Sequence, residues 1–304
     1  MSDFNTSRIA QGVNDRFFKE SIVMNNYAHQ IISDDTRLQL SFMLISSNNT
    51  SFPPHWHSHL EIMLIRKGYM TVFIGEQKYT LKKGDLLVIN SRELHSTKTW
   101  GETEYLLLQI PYDYLSRAVG GISLIRFQEY FPSITMNTAQ KQLCGCLFEL
   151  AEIYTEKEDG YLLRFSSVVY EFLYILYRNY AHKLSKEAKE KENRNFERIE
   201  EVLQYVNANY KREISLSEVA ALLNVSPEYF CRLFKKNTGQ TFLEYLNAMR
   251  LGHFYQDLIA TDYSITSLMD RNGISNYKVF LRTFKEAYGD SPSKIRGRMR
   301  KAIS

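Results

Sequence analysis

Two groups of residues in this chain have the types and spacing to do chemistry. The first lies in His55-Trp56-His57-Ser58-His59-Leu60-Glu61, with His95 further along. Side chains on an extended strand alternate between its faces, so His55, His57, His59 and Glu61 are expected on one side, and a curled sheet brings His95 beside them. Imidazoles with one carboxylate are the donors that a divalent metal needs. The same groups also make a hydrogen-bonding wall for a polar ligand. The second group occurs twice: Arg232 and Lys235 lie within Phe230–Thr241, and Arg282 and Lys285 within Phe280–Ser291. Basic side chains repeated in one register are what a polyanion requires.

Little else in the chain competes with these two groups. Cys144 and Cys146 have no second pair or nearby histidine and read as buried thiols on a helix. With Cys231 they form a sparse, odd set that fits a reducing cytosol better than a disulfide framework. No run of ~18 apolar residues suited to a membrane span occurs, and the opening MSDFNTSRIAQG lacks the apolar core of a signal peptide. No nucleophile elbow or phosphate-binding glycine loop occurs either. The 304 residues are 44% apolar and 24% charged, an ordinary globular composition in a chain long enough for two or more domains. Charge is uneven along it. Residues 1–195 hold 22 Lys and Arg against 22 Asp and Glu, and residues 196–304 hold 16 against 12, so the net +4 lies in the C-terminal third. So modest an excess argues against a protein that coats DNA without regard to sequence.

Three kinds of element must position these groups. Residues 38–110 read as strands: Leu38, Leu40, Phe42 and Leu44 alternate with other residues, and Lys67-Gly68, Gly75-Glu76 and Gly84-Asp85 punctuate the apolar runs that follow. A small sandwich or barrel is the natural closure. Residues 138–180 read as helical, broken at Asp159-Gly160. The second segment, YLLRFSSVVYEFLYILYRNY, is apolar around most of its circumference and needs cover on two sides, by the barrel and by a second subunit. Residues 183–195, almost free of apolar side chains, read as a solvated linker or the exposed start of a helix. Beyond them the chain repeats itself: Phe230, Arg232, Phe234, Lys235, Gly239 and Thr241 recur 50 positions later as Phe280, Arg282, Phe284, Lys285, Gly289 and Ser291. In the first copy, Ser215 with Glu218 predicts a capping box, Asn224 a left-handed turn, and Ser226-Pro227 the start of a second helix that buries Phe230, Leu233 and Phe234. The second copy runs from Ser264 to Met269, turns at Gly273 and restarts near Asn276, burying Val279 or Phe280, and Phe284. A long helix begun by Thr241 and Glu244 joins the two. Each copy is a helix-turn-helix.

The stretches ISLSEVAALLNVSPEYFCRLFKKNTGQTFLEYLNAMRL and GISNYKVFLRTFKEAYGDSPSKIR resemble the DNA-binding domain of the AraC/XylS family over roughly residues 196–298. Met269 stands where that family usually has alanine, and Ile274 where phenylalanine usually follows the glycine. Both remain apolar, so the fold is expected to survive a change in crossing angle. The resemblance implies that the second helix of each unit enters a major groove. The residues expected there are Ser226, Glu228, Tyr229, Cys231 and Arg232, with Lys235 and Lys236 one turn later and Lys235 on phosphate. In the second unit they are Asn276, Tyr277, Lys278, Leu281 and Arg282, with Lys285 on phosphate. Leu281 suits a thymine methyl, Arg232 a guanine or a phosphate, and Glu228 a cytosine amine. The bland reading of the arginines is a surface pair with an acidic neighbour.

Residues 53–95 in turn resemble the cupin-type sensor barrel found in many members of that family, through His55-Trp56-His57, Glu61, Gly68, Gly84-Asp85 and His95. Catalytic cupins use such a histidine set for metal, whereas sensor members resemble sugar pockets without one. The expectation is therefore no metal and no cofactor, and a small polar effector, a sugar, contacted by some of Arg37, His55, His57, Glu61, Tyr69 and His95. The fold class expected is multi-domain α+β. A cupin-like barrel with an N-terminal arm spans 1–135, a helical dimerisation segment 136–182, a linker 183–195, and an all-α domain with two helix-turn-helix units 196–304. The function expected is a cytoplasmic, homodimeric, ligand-responsive transcription regulator, not an enzyme. Its partners would be double-stranded DNA and the effector, with RNA polymerase a further candidate and no membrane. The competing reading is a metal-dependent cupin enzyme fused to a DNA-binding domain.

Overall fold

Seven antiparallel strands curl into the N-terminal domain. The computed structural model describes residues 30, 32 and 34–303, with side chains to residue 298. Strands β1 (Ser41–Asn48), β2 (Ser51–His55), β3 (Leu60–Ile74), β4 (Gln77–Lys82), β5 (Leu86–Ile89) and β6 (His95–Ile110) precede a short helix, α1 (Tyr112–Ala118). Then come β7 (Ile125–Phe127) and β8 (Tyr130–Phe131). The sheet order is β1-β6-β3-β5-β8, with β2 also on β6 and β4 also on β3.

Alternation along these strands divides two cores. Leu60, Ile62 and Leu64 of β3 join Phe42, Leu44, Val88, Leu106 and Leu108 on one face. That face packs on Leu143, Leu147, Phe165 and Phe172 from helices α2 (Thr138–Glu156) and α3 (Tyr161–Tyr180). Met63, Ile65, Val72, Leu87, Ile89, Tyr105 and Leu107 fill the other, interior face. Burial on both sides is why β3 begins with the unbroken run LEIMLI rather than a polar alternation. Glu61 and Gln109, directly opposite on β3 and β6, belong to the interior parity.

The break at Asp159-Gly160 separates α2 from α3. Cys144 and Cys146 are buried on α2, where burial pushes both thiols up to about 11. On α3 the buried side chains are Phe165, Val169, Phe172 and Leu176, while Leu163, Tyr170, Tyr174 and Tyr177 are exposed on the other side. Strand β9 (Ala181–Lys183) pairs with β7, and α4 (Lys186–Asn209) follows at once, capped by the Ser185 side chain. The segment 183–195 is thus helical from Lys186, and α4 turns apolar only at Ile199, Val202, Leu203 and Val206.

The duplicated region folds as two helix pairs on one connecting helix. Helices α5 (Leu216–Leu222) and α6 (Pro227–Thr238) form the first pair; the Ser215–Glu218 capping box, the Ser226 cap and the left-handed Asn224 are all present. Helix α7 (Phe242–Ala260), opened by the Thr241–Glu244 capping box, gives Phe242, Tyr245, Leu246 and Met249 to the first core and Leu251, Phe254 and Leu258 to a second. Helices α8 (Ile265–Arg271) and α9 (Tyr277–Tyr288) form the second pair, and α10 (Pro292–Ile303) closes it. Phe280 and Phe284 are the buried residues of α9, and Val279 points outward. Met269 and Ile274 both pack into this second core.

Candidate nucleic-acid interface and sensor site

In α6 the apolar residues Phe230, Leu233 and Phe234 face the core and leave Glu228, Tyr229, Cys231, Arg232, Lys235 and Lys236 exposed. In α9, Phe280 and Phe284 do the same and leave Tyr277, Lys278, Arg282 and Lys285 exposed. Each helix therefore shows solvent a face with cations in matching register. The Arg282 side chain is 73% exposed and only loosely paired with Glu286, at 3.9 Å. Ser226 and Asn276 are occupied as N-caps, accepting from the backbone N–H of Tyr229 (3.2 Å) and Val279 (3.0 Å). Leu281 is less open than the sequence reading expects: it is half-buried, packed in part against the second core. Val279 is the apolar side chain that α9 leaves bare.

The barrel brings together four of the six expected effector residues. His55 ends β2, His57 lies in the turn that follows, Glu61 is on β3 and His95 starts β6; all four are buried. Ring centres of His55 and His95 are 4.2 Å apart, and those of His57 and His95 5.1 Å. Backbone carbonyls fix the rings: Nδ1 of His55 lies 2.9 Å from the Pro53 oxygen, that of His57 3.1 Å from His59, and that of His95 2.9 Å from Glu93. A carbonyl only accepts, so each Nδ1 carries a proton, and Nε2 of His57 and of His95 lies on the side of Glu61. Nε2 of His57 is 2.9 Å from Glu61 Oε2, which also accepts from Gln109 Nε2 at 2.6 Å. Burial pushes His55 well below its ordinary value, with His95 and His57 adding to the effect, and pushes His95 down to about 4. Burial alone would raise Glu61, but the His57 hydrogen bond and the surrounding imidazoles hold it well below the usual carboxylate range. The result is a buried carboxylate ringed by imidazole nitrogens.

Arg37, Tyr69 and His59 do not join this cluster. Arg37 is exposed and pairs with Asp35 at 3.6 Å. Tyr69 is 58% exposed at the far bend of β3. His59 turns toward Asp34, 3.2 Å away, because β2 ends at His55 and the chain bends before β3 starts at Leu60, so a single extended strand never spans 55–61. The arm expected over residues 1–30 lies outside the described residues except for Gln30, whose N–H donates to the Trp56 carbonyl at 2.9 Å.

Trp56 is the residue that sequence reasoning passed over. Set between His55 and His57, it has the opposite parity and points out of the barrel into the core of the first helix pair, among Ile199, Val202, Phe230 and Tyr245. Its ring meets Phe196 of α4 edge-on at 4.9 Å, and the Arg92 guanidinium lies 4.5 Å from the centre of that same phenylalanine. The Arg92 N–H in turn donates to the His57 carbonyl at 2.8 Å. Period-two alternation was the available signal: an aromatic between two inward histidines must face outward. Beside this junction, a cleft of about 700 Å³ runs between barrel and α4, lined in part by Asn90, Arg92, Glu93, Arg126, Glu192 and Phe196.

Residues 40–173 match the family model of an AraC-like ligand binding domain, and residues 219–298 that of a helix-turn-helix domain. An uncharacterised HTH-type transcriptional regulator of Staphylococcus aureus is 23% identical over 239 residues, which are 78% of this chain and 31% of that protein. The chain therefore spans about a third of the length of that relative. The HTH-type transcriptional regulator YdeC of Bacillus subtilis is 23% identical over 253 residues, 80% of this chain and 86% of YdeC. Among solved structures, the C-terminal domain of AraT, a response regulator from Geobacillus stearothermophilus, is 29% identical over 33% of this chain and 84% of that one, with a TM-score of 0.31. A ligand-binding domain of AraC type thus stands ahead of a duplicated helix-turn-helix in this chain.

Proposed function

We propose that this chain is a sequence-specific regulator of transcription, not an enzyme, acting in the cytoplasm as a homodimer whose grip on DNA responds to a small polar effector. The observation that carries the reading is the bare, cation-bearing face repeated on α6 and α9. Two such helices on one connecting helix suit successive major-groove segments about one helical turn apart, so each monomer reads an asymmetric site. Arg232, with Glu228 beside it, is the candidate base reader of the first unit and Arg282 that of the second; Lys235, Lys236 and Lys285 are the phosphate anchors. Sensor control reaches the first unit through Trp56, and the adjoining polar cleft has the volume and hydrogen-bonding groups for a carbohydrate. The second copy docks on the α3 stripe of Leu163, Tyr170, Tyr174 and Tyr177. In this division residues 1–135 sense, 136–182 dimerise and 196–304 bind DNA.

The test is selection of bound DNA from a random pool by the full chain, with and without a panel of sugars. An enriched motif split over two segments a helical turn apart, its enrichment altered by one ligand, is the expected result. Recovery of no motif, or of binding indifferent to sequence with a steep salt dependence, overturns the regulator reading.

A further inference from the structure

We infer that Arg250 of α7 and Gly273, in the turn between α8 and α9, fix the angle between α6 and α9 and with it the spacing of the two DNA segments that the chain reads. The DNA consequence rests on the regulator reading; the angle itself is a property of the free chain. The apolar cores of the two units are separate among the described residues, one reaching Met249 of α7 and the other starting at Leu251. A lone helix bends, so a link between the units away from its axis is what holds their angle. The loop after α4 supplies that link. Arg250 donates from Nε to the Tyr210 carbonyl at 2.8 Å and from Nη2 to the Arg212 carbonyl at 2.7 Å. Two donors on one planar group set the direction of both carbonyls, which a point charge does not.

Gly273 meets the same loop from the second unit. Its φ is 68°, and a Cβ there would lie 2.5 Å from the Lys211 carbonyl oxygen and 2.8 Å from that of Tyr210, so conformation and space both demand glycine. The Tyr210 ring stacks on His253 of α7 at 4.1 Å, and burial lowers His253 to about 4, so it stacks as a neutral ring. On the first unit's side, Arg212 donates to the Tyr205 hydroxyl at 2.7 Å and to Glu218, the capping residue of α5. On the second unit's side, the buried Asn272 donates to Asp257 of α7 at 2.8 Å. Polar contacts thus run without a break from the cap of α5, through residues 210–212, to the turn ahead of α9. One base pair added between two DNA segments turns the second by about 35° and moves it by ~3.4 Å. A clamped pair of helices cannot follow that change and keep both sets of contacts, whereas a loose pair can.

Two measurements on the full chain test this. In the first, nitroxide labels sit on the exposed Cys231 of α6 and on the cysteine of Lys278→Cys in α9, while Cys144 and Cys146 are buried. Pulsed electron resonance reads the distance between the labels in chain diluted with unlabelled copies. A single narrow distribution is expected. Arg250→Met, which keeps the apolar stem and loses the donors, should broaden it, and Gly273→Ala should shift it. Ser264→Ala, which removes the cap of α8 without touching the loop, should leave it narrow. The second measurement uses unlabelled chain on its selected site, rebuilt with the two segments one base pair closer or farther apart. The parent should lose at least about tenfold in affinity. Arg250→Met should erase most of that loss, and Arg250→Lys, with one ammonium for two carbonyls, should fall between. Should Arg250→Met fail to fold, Gly273→Ala decides. A distance distribution unmoved by these variants, or a parent as tolerant of the altered spacing as they are, overturns the inference. No DNA enters the label measurement, so its failure leaves the regulator reading standing, and a selection that recovers no motif strikes that reading while the clamp is still judged by the labels.

Discussion

The two helix-turn-helix units are built from nearly the same local chemistry and differ in what their cores touch. In the first, the core formed by α4, α5, α6 and the start of α7 continues into the barrel through Trp56 and Leu94. In the second, Leu251, Phe254, Leu268, Met269, Phe280, Phe284 and Ile295 close on one another, and no barrel residue takes part among those described. The difference extends to the helix ends. Gly239 and Gly289 both cap their helices in the left-handed conformation, at φ of 74° and 79°. A Cβ on Gly239 would lie 2.4 Å from the Gly75 carbonyl of the β3–β4 turn, whereas one on Gly289 would meet nothing within 4 Å. Among the described residues, the apolar core of the first unit thus continues into the barrel and that of the second does not.

Removing the wedge tests that contrast most severely. Trp56→Ala should cost about 3 kcal/mol of stability through the cavity left in the first core, read by urea unfolding of the full chain. It should also leave DNA affinity unmoved by effector, and unchanged stability would mean that the continuous core is not a working junction. The paired glycines sharpen the same point. Gly289→Ala should lose ~1 kcal/mol, the ordinary strain of a left-handed alanine, while Gly239→Ala should lose at least about twice that because the Gly75 turn must also move. Equal losses would show that the two domains part easily in solution. On the DNA side, Arg232→Ala should weaken specific binding by about 1–3 kcal/mol and relax one base preference. Arg282→Ala should do less, since its neighbour Leu281 is half-buried, and a reversed order in gel-shift competition would make the second unit the principal reader. The smallest effect belongs to the caps: Ser215→Ala and Ser264→Ala should each cost ~1 kcal/mol in thermal melts, with little difference between them. A much larger loss at Ser215 would tie that cap to the junction as well.

Local signals carried most of the helical third. The Ser215–Glu218 and Thr241–Glu244 boxes, the Ser226-Pro227 start, the Asn224 turn and the glycine stops act within a few residues of sequence, and each stands where the spacing places it. Strand parity similarly foretold the interior side of Glu61 on β3, but not of all the histidines before it, because the chain bends after His55 and side-chain alternation holds only within one strand. The orientations that depend on distant chain were different. The bend after His55 sent His59 to Asp34, the sheet left Arg37 and Tyr69 outside the cluster, and the packing of α9 drew Leu281 inward.

The sequence by itself settled the starts and stops of the helices in the C-terminal third and the main apolar face of each, since those follow from capping, periodicity and turn chemistry within a span of a few residues. Only the tertiary structure decided that Trp56 enters the core of the first helix pair, that three buried histidines meet around one point beside Glu61, and that the first unit's core continues into the barrel. Each of these is a meeting of segments far apart in the chain. Which of several buried faces finds which partner depends on shape and burial across the whole molecule, and no local pattern of residues encodes that choice.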